Sequence, residues 1–498
     1  MHDLVQQMAW DIFCQEFPKE PGKRGRLWSA QDSYRVLKYN TVSRTSKKYK
    51  NLIFELESNR TCALIKYFPE ILKPMERFEY LDLSETRIRE LHSSISNLIC
   101  ISSLYLHKCD NLEVVPDTIF NVHLQTLSFS DCPRLAKLPP LSIVLHLLTS
   151  LHVKNCNVFE IPDLLFLPSL DKQRLEGTKI KRIPASIKHC CNPNELVIVN
   201  CKSLHSLPEL PSSVSILYIS RCPSLETLSN TLLPVTQCPI EDDDEFMFYD
   251  CWKLDHNALN NLMNMCQNRI LYRATMSKCD EIIKQKVGGH DVSLCCPENG
   301  IPAWFNYQEE RSSINIKLPQ HWYNNTFLGF AMCAIAAFEG NCSKCCHPLN
   351  FRCKFHLIGK NGKRSYSRMG IHSNLLEEQG KTFFSNLDHM HVFYAYEDYA
   401  DDLDAVEASF DFFSNAWLKP GKCLECGSSC KVKRCGVRML YLKDAEERGS
   451  RLLALTAEEE DVIGAVEEQI EQGSSSRGTG YSILDRTAAA DIVRAELP

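Results

Sequence analysis

The strongest constraint on this chain is a pattern that returns about every 23 residues between Glu79 and Leu228. Its anchors are Leu81-Asp82-Leu83, Leu104-Tyr105-Leu106, Leu127-Ser128-Phe129, Leu151-His152-Val153, Gln173-Arg174-Leu175, Leu196-Val197-Ile198 and Leu217-Tyr218-Ile219. Successive anchors stand 23, 23, 24, 22, 23 and 21 residues apart. A unit of that length holds one short strand and a return segment, and alone it cannot bury its apolar face. Stacked units share a continuous core and present a long concave surface. Such surfaces bind partners more often than they catalyse, so the first expectation is a recognition protein.

The period lies in the leucine-rich-repeat range. Side chains alternate along a strand, so the leucines should point inward and the residues between them toward the concave side. The expected partner-binding side chains are Tyr80, Asp82 and Glu85 in the first unit, Tyr105, His107 and Lys108 in the second, and Asp131 in the third. His152 and Lys154, then Arg174 and Glu176, then Tyr218 and Arg221 follow in later units, with Val197 and Val199 on the same side. Mixed charges with tyrosine and histidine suit a protein epitope better than a small apolar ligand. Cys109, Cys132, Cys156, Cys201 and Cys222, five residues after their anchors, should form an inward ladder of small apolar side chains. Gln173 takes the place of an apolar anchor.

With 498 residues the chain has room for two to four domains. A formal charge of -6 argues against nucleic acid or an anionic membrane as main partner. The 25 cysteines are scattered, and Asp3, Asp11, Glu16 and Lys19 interrupt any secretory apolar stretch near Met1. The longest apolar run, Phe327 to Phe338, is too short to span a bilayer. A reduced, cytoplasmic protein is expected, with nuclear entry through Lys23, Arg24 and Arg26 as an alternative.

The fold class read from this pattern is α+β. Residues 1–40 read as short helices with a basic patch, and 41–75 as an irregular bridge containing part of one repeat. The repeats occupy 76–233, and an acidic connector, Glu241 to Glu245, follows. Residues 246–442 read as a separate, mostly β domain. It opens with a helix over Asn257 to Thr275, where Leu259, Leu262, Met263 and Cys266 share one face. Strands are expected at Ser313 to Leu318, Phe327 to Phe338 and Val437 to Leu442. Trp304, Trp322 and Trp417 are expected in its core. Residues 443–498, acidic and then Gly/Ser-rich, read as a mostly disordered tail.

Three local patterns together resemble plant TIR-type nucleotide-binding leucine-rich-repeat immune receptors. Met1-His2-Asp3-Leu4 with Gln6-Gln7-Met8 and Pro21-Gly22-Lys23-Arg24-Gly25-Arg26-Leu27-Trp28 is similar to the winged-helix end of that family's nucleotide-binding module. Leu-x-Leu-x-x-Thr-x-Ile at Leu81 to Ile88 and Leu-x-Leu-x-x-Cys at Leu104 to Cys109 are similar to its repeats. Gly300-Ile301-Pro302-Ala303-Trp304-Phe305, Trp322-Tyr323, Phe327-Leu328-Gly329-Phe330-Ala331 and Lys433-Arg434-Cys435-Gly436-Val437 are similar to its post-repeat jelly-roll/Ig-like domain, called C-JID.

The resemblance implies that residues 1–40 are a winged-helix remnant and that His2 matches a histidine contacting the phosphates of bound ADP. Affinity for ADP rests chiefly on a Gly-rich phosphate loop, and no Gly-x-x-x-x-Gly-Lys-[Ser/Thr] occurs in this sequence. The family's NAD-cleaving TIR domain is not matched either. The expectation is therefore a binding chain with no cofactor and no catalysis, although the full-length family uses ADP and ATP. Its implied partner is a pathogen effector or a guarded host protein, gripped by repeats and post-repeat domain together. A decoy that pairs with a complete receptor, an inactive gene fragment and a general interaction scaffold are the alternatives. Cys342-x-x-Cys345 and Cys423-x-x-Cys426 have the spacing of a four-cysteine zinc site. They are 81 residues apart and the family pattern demands no metal, so none is expected.

Overall fold

The computed structural model describes residues 26–27, 30–39, 51–53, 66–76, 78–121, 123–139, 147–161, 169–189, 194–211, 213–229, 243–283, 291–339, 350–359, 362–369, 388–394, 404–416, 419–420 and 429–447. His2, Trp417, the four cysteines of the candidate zinc site and the tail beyond 447 lie outside these residues. The chain forms two units, residues 1–230 with 249–258, and residues 231–248 with 259–498.

The first unit is a parallel solenoid. Its strands are β1 (Arg26–Leu27), β2 (Asn51–Ile53), β3 (Tyr80–Asp82), β4 (Ser103–His107), β5 (Thr126–Ser130), β6 (Ser150–Lys154), β7 (Lys172–Glu176), β8 (Glu195–Val199) and β10 (Ile216–Ser220). Register follows the sequence anchors residue for residue. Leu81 stands beside Leu104, Leu104 beside Leu127, Leu127 beside Leu151, Leu151 beside Gln173, Gln173 beside Leu196, and Leu196 beside Leu217. A second, short pairing of β9 (Ser206–Leu207) with β11 (Thr227–Leu228) joins the return segments. The 3-10 turns Ser93–Asn97, Asp117–Asn121 and Ala185–His189 fill the remaining side.

The bridge is more regular than the sequence suggests. Leu27 pairs beside Leu52, and Leu52 beside Leu81, so β1 and β2 continue the solenoid sheet ahead of the first recognised repeat. Residues 26–27, assigned to the winged-helix remnant, thus belong to this sheet, with the helix Ala30–Tyr39 between its first two strands. The expected cysteine ladder forms. Cys109, Cys132, Cys156, Cys201 and Cys222 are all buried, and Cys251 continues the row. Cys109 and Cys132 donate S–H bonds to the Leu83 and Leu106 carbonyls at 3.3 Å. The hydrogen bond with Cys109 pulls the Cys132 thiol down, but its bond with Cys156 and burial together push it up to about 12, so it is a structural group rather than a nucleophile.

The second unit is a two-sheet β sandwich with one long helix. One sheet runs β12 (Asp244–Tyr249), β13 (Val292–Pro297), β19 (His389–Tyr394), β16 (Phe327–Glu339), β22 (Ser429–Tyr441) and β14 (Tyr307–Glu309). The other runs β15 (Ser313–Lys317), β20 (Ala405–Ala416), β17 (Asn350–Gly359) and β18 (Gly362–Met369), with β21 (Lys419–Pro420) on β20. Phe330 of the first sheet lies 5.2 Å from Phe410 and 6.0 Å from Phe355 of the second, ring centre to ring centre. Ile314, Ile316, Met332, Leu357 and Phe412 complete that core. The helix spans His256–Ile283, eight residues longer than its expected end. Residues 442–447, with 443–447 assigned to the tail, form a helical turn in which Asp444 is buried.

Trp322 meets the expectation of a core tryptophan, and its Nε1 donates to the Ala405 carbonyl at 3.0 Å. Trp304 is only half-buried. The Arg438 guanidinium lies 5.1 Å above its ring and donates to the Trp304 carbonyl, to Asn306 Oδ1 and to Asp444 Oδ1. Trp304 is thus a surface brace rather than a core residue.

Candidate protein-interaction face

The solenoid strands separate their side chains as the alternation requires. In β4, Leu104 and Leu106 are buried while Ser103, Tyr105 and His107 stay half-exposed, and β6 repeats the arrangement. Parallel register then lines up Asp82, Tyr105, Ser128, His152, Arg174, Val197 and Tyr218 across the sheet. The Tyr80 and Tyr105 rings lie 5.0 Å apart with a 31° tilt, and His107 meets Tyr105 edge-on at 5.7 Å. His107 Nε2 is 3.2 Å from Ser128 Oγ.

Further along, neighbouring strands exchange charge. Lys154 Nζ is 3.1 Å from Glu176, and Arg174 and Lys172 approach Glu195 at 3.5 and 3.9 Å. Glu85, Lys108, Asp131 and Arg221 occupy a different place from the one the sequence suggested. They sit just beyond the strand ends with φ between 49° and 60°, as do Asn155, Asn200 and Gly177 in their own units. Each such turn sends the next residue, a cysteine or threonine, back into the core. The turn N–H of Glu85, Lys108, Asp131, Asn155, Gly177, Asn200 and Arg221 donates to the carbonyl that ends the next strand, at 2.6–2.9 Å. Their side chains make a ridge along one rim. Lys108 Nζ binds Glu85 Oε1 at 2.8 Å, and Asn155 Nδ2 donates to Asp131 Oδ1 at 2.8 Å. The hydrogen bond to Glu85 and the Glu85 charge hold the Lys108 ammonium above its usual range. Asn and Gly adopt positive φ readily, so the residue before each cysteine or threonine carried a signal that strand alternation alone missed.

The later strands do not offer the open face expected of them. Tyr218, Val197, Val199 and Ser220 are buried, and Glu176 is exposed by only 9%. The Tyr218 ring lies 6.1 Å from that of Tyr249. The accessible strand face therefore runs from Tyr80 to Lys154, with Arg174 near its limit. Among the described residues no group of three or more His, Cys, Asp and Glu side chains has the geometry to hold a metal. No described helix is long and apolar enough to cross a membrane.

Comparison with known proteins fits this arrangement. Residues 296–446, which include most of the β sandwich, match the C-JID domain family. Disease resistance-like protein DSC1 of Arabidopsis thaliana is 25% identical over 440 residues, covering 77% of this chain. The chain is similar to disease resistance proteins of that plant. Disease resistance protein RPS4 and disease resistance protein RPP2B of the same plant are 25% and 27% identical, over 81% and 60% of the chain. This chain spans a quarter to a third of these relatives, 34% of DSC1, 32% of RPS4 and 26% of RPP2B. Within the C-JID match, Ile301-Pro302-Ala303-Trp304-Phe305 is seated by Gly436, where an added Cβ would stand 3.0 Å from Ile301 and 3.2 Å from Phe305.

Proposed function

We propose that this chain is the sensing portion of an intracellular plant immune receptor, which recognises a pathogen effector protein, or a host protein the effector alters, through its concave repeat face and its C-JID domain. The observation that carries this reading is the strand surface from Tyr80 to Lys154, half-exposed except at the buried Ser128. It mixes packed aromatics with polar and charged groups in the manner of a protein interface. The disease resistance relatives and the C-JID match support it.

A two-hybrid screen of cloned secreted effectors from pathogens of the source plant tests the proposal. Tyr105→Ala and His152→Ala should abolish binding of a recovered effector, while Lys137→Ala, on the return-segment side, should leave it intact. An effector whose binding ignores both concave substitutions would overturn the assignment of this face.

A further inference from the structure

Three carboxylates lie on the solenoid strands β3 to β8: Asp82, Glu176 and Glu195. Glu176 is met by Lys154, and Glu195 by Lys172 and Arg174. Asp82 has no cation among the described residues. Its Oδ1 accepts from the Ser84 N–H at 2.9 Å and from the Ser84 hydroxyl. That hydroxyl in turn accepts from the His107 N–H at 3.1 Å. The carboxylate is thus held in one orientation, with Oδ2 left over. Asp82 stands beside Tyr105 in register, and the Tyr105 ring lies 5.0 Å from that of Tyr80 at a 31° tilt. All three side chains are half-buried on the accessible part of the face.

We infer that Tyr80, Asp82 and Tyr105 form a recognition site for an arginine side chain presented by the partner protein. This rests on the proposed function above. A guanidinium is planar and weakly hydrated, so it stacks on a tyrosine face while donating N–H bonds along its edge. The tyrosine pair provides the platform, and Asp82 Oδ2 provides a fixed acceptor beside it. A half-buried carboxylate lacking an internal cation favours the charged edge of such a ligand over a neutral one. Lysine fits less well, because a compact, strongly hydrated ammonium gains little from the platform.

The test uses the full chain with 3-fluorotyrosine placed at position 105 and three capped tripeptides of the form Gly-X-Gly, where X is arginine, lysine or citrulline. The arginine peptide should shift the fluorine resonance saturably, and the citrulline peptide, isosteric but neutral, should not. Asp82→Asn keeps an oxygen for the Ser84 N–H and should weaken the arginine peptide at least tenfold, with an unchanged thermal midpoint. Equal response to arginine and citrulline, to arginine and lysine, or of wild type and Asp82→Asn, overturns the inference. The concave-face reading fails separately, in the screen with whole effectors. An effector lost on Tyr105→Ala but indifferent to Asp82→Asn would keep that reading and sink the arginine site.

Discussion

Arg273 Nε donates to Asp244 Oδ2 at 2.7 Å, and both side chains are fully buried. Arg269, one helical turn earlier, reaches Asp244 Oδ1 at 3.3 Å and lies over the Phe246 ring. Asp244 belongs to the acidic run that read as a solvated connector. In the fold it is the anchor by which β12 holds the long helix.

Asp244→Ala leaves two guanidinium groups in the core without their carboxylate. Breaking a buried pair from one side costs about 3–5 kcal/mol. Urea unfolding followed by tryptophan fluorescence should show a loss of that size for the second unit. Lys433→Ala, which removes the more exposed bond to Asp388, should cost less than about 1 kcal/mol. Equal losses from the two substitutions would contradict the buried character of the Asp244 site.

Gln173 fills a leucine position with only 2% of its surface exposed. Neither amide atom finds a hydrogen-bond partner among the described residues. A buried polar group in that state costs about 1–3 kcal/mol. Gln173→Leu should therefore stabilise the solenoid by about that amount, read as a higher urea midpoint at unchanged slope. A lower midpoint would mean that the amide is satisfied in solution.

Much of this architecture was legible because inward leucines impose their period on the chain whatever else varies. The anchors gave the strand register without error, even at Gln173, since the flanking units fix the pitch. Leu27 and Leu52 were hidden because each stands in a two- or three-residue strand with weak alternation around it. The burial of Tyr218 and Val197 was illegible for another reason. Alternation says which face a residue takes, and nothing local says whether that face meets water.

The ion pairs of the strand face and of its rim divide by exposure. Lys108 and Glu85 are 65% and 41% exposed, so Lys108→Glu should leave the melting temperature close to that of the wild type. Arg174 and Glu195 are 18% and 13% exposed, and Arg174→Glu forces like charges together there. That substitution should cost about 1–3 kcal/mol. A combined charge reversal that weakens partner binding is therefore interpretable at Lys108 but not at Arg174. Equal thermal shifts for the two single variants would refute this division.

Gly177 has φ of +60°, and an added Cβ there would run into Asn155 Oδ1. Gly177→Ala should lose about 1–3 kcal/mol, from the backbone strain and the displaced Asn155–Asp131 bond. Adding Asn155→Ala removes the clash but not the strain, so the double variant should lose less than the sum of the two single changes. Strict additivity would show that the two residues do not touch.

The second unit holds two groups whose pH effects oppose each other. Burial, reinforced by nearby His389, lowers His391 to about 3. Its unfolded form takes up a proton first, near the ordinary value of about 6.5, so stability falls as pH drops from there toward 3. Burial, with Asp243 adding to it, raises Glu245 to about 7. Its folded form keeps a proton that the unfolded chain releases near 4.5, so stability falls as pH rises between 4.5 and 7. Each slope is at most about 1.4 kcal/mol per pH unit. Where the windows overlap, from about 4.5 to 6.5, the two nearly cancel and the urea midpoint should be flat. Glu245→Gln removes one arm and should leave a midpoint that climbs steadily with pH through that interval. A variant as flat as the wild type would mean that His391 remains able to protonate in the folded chain.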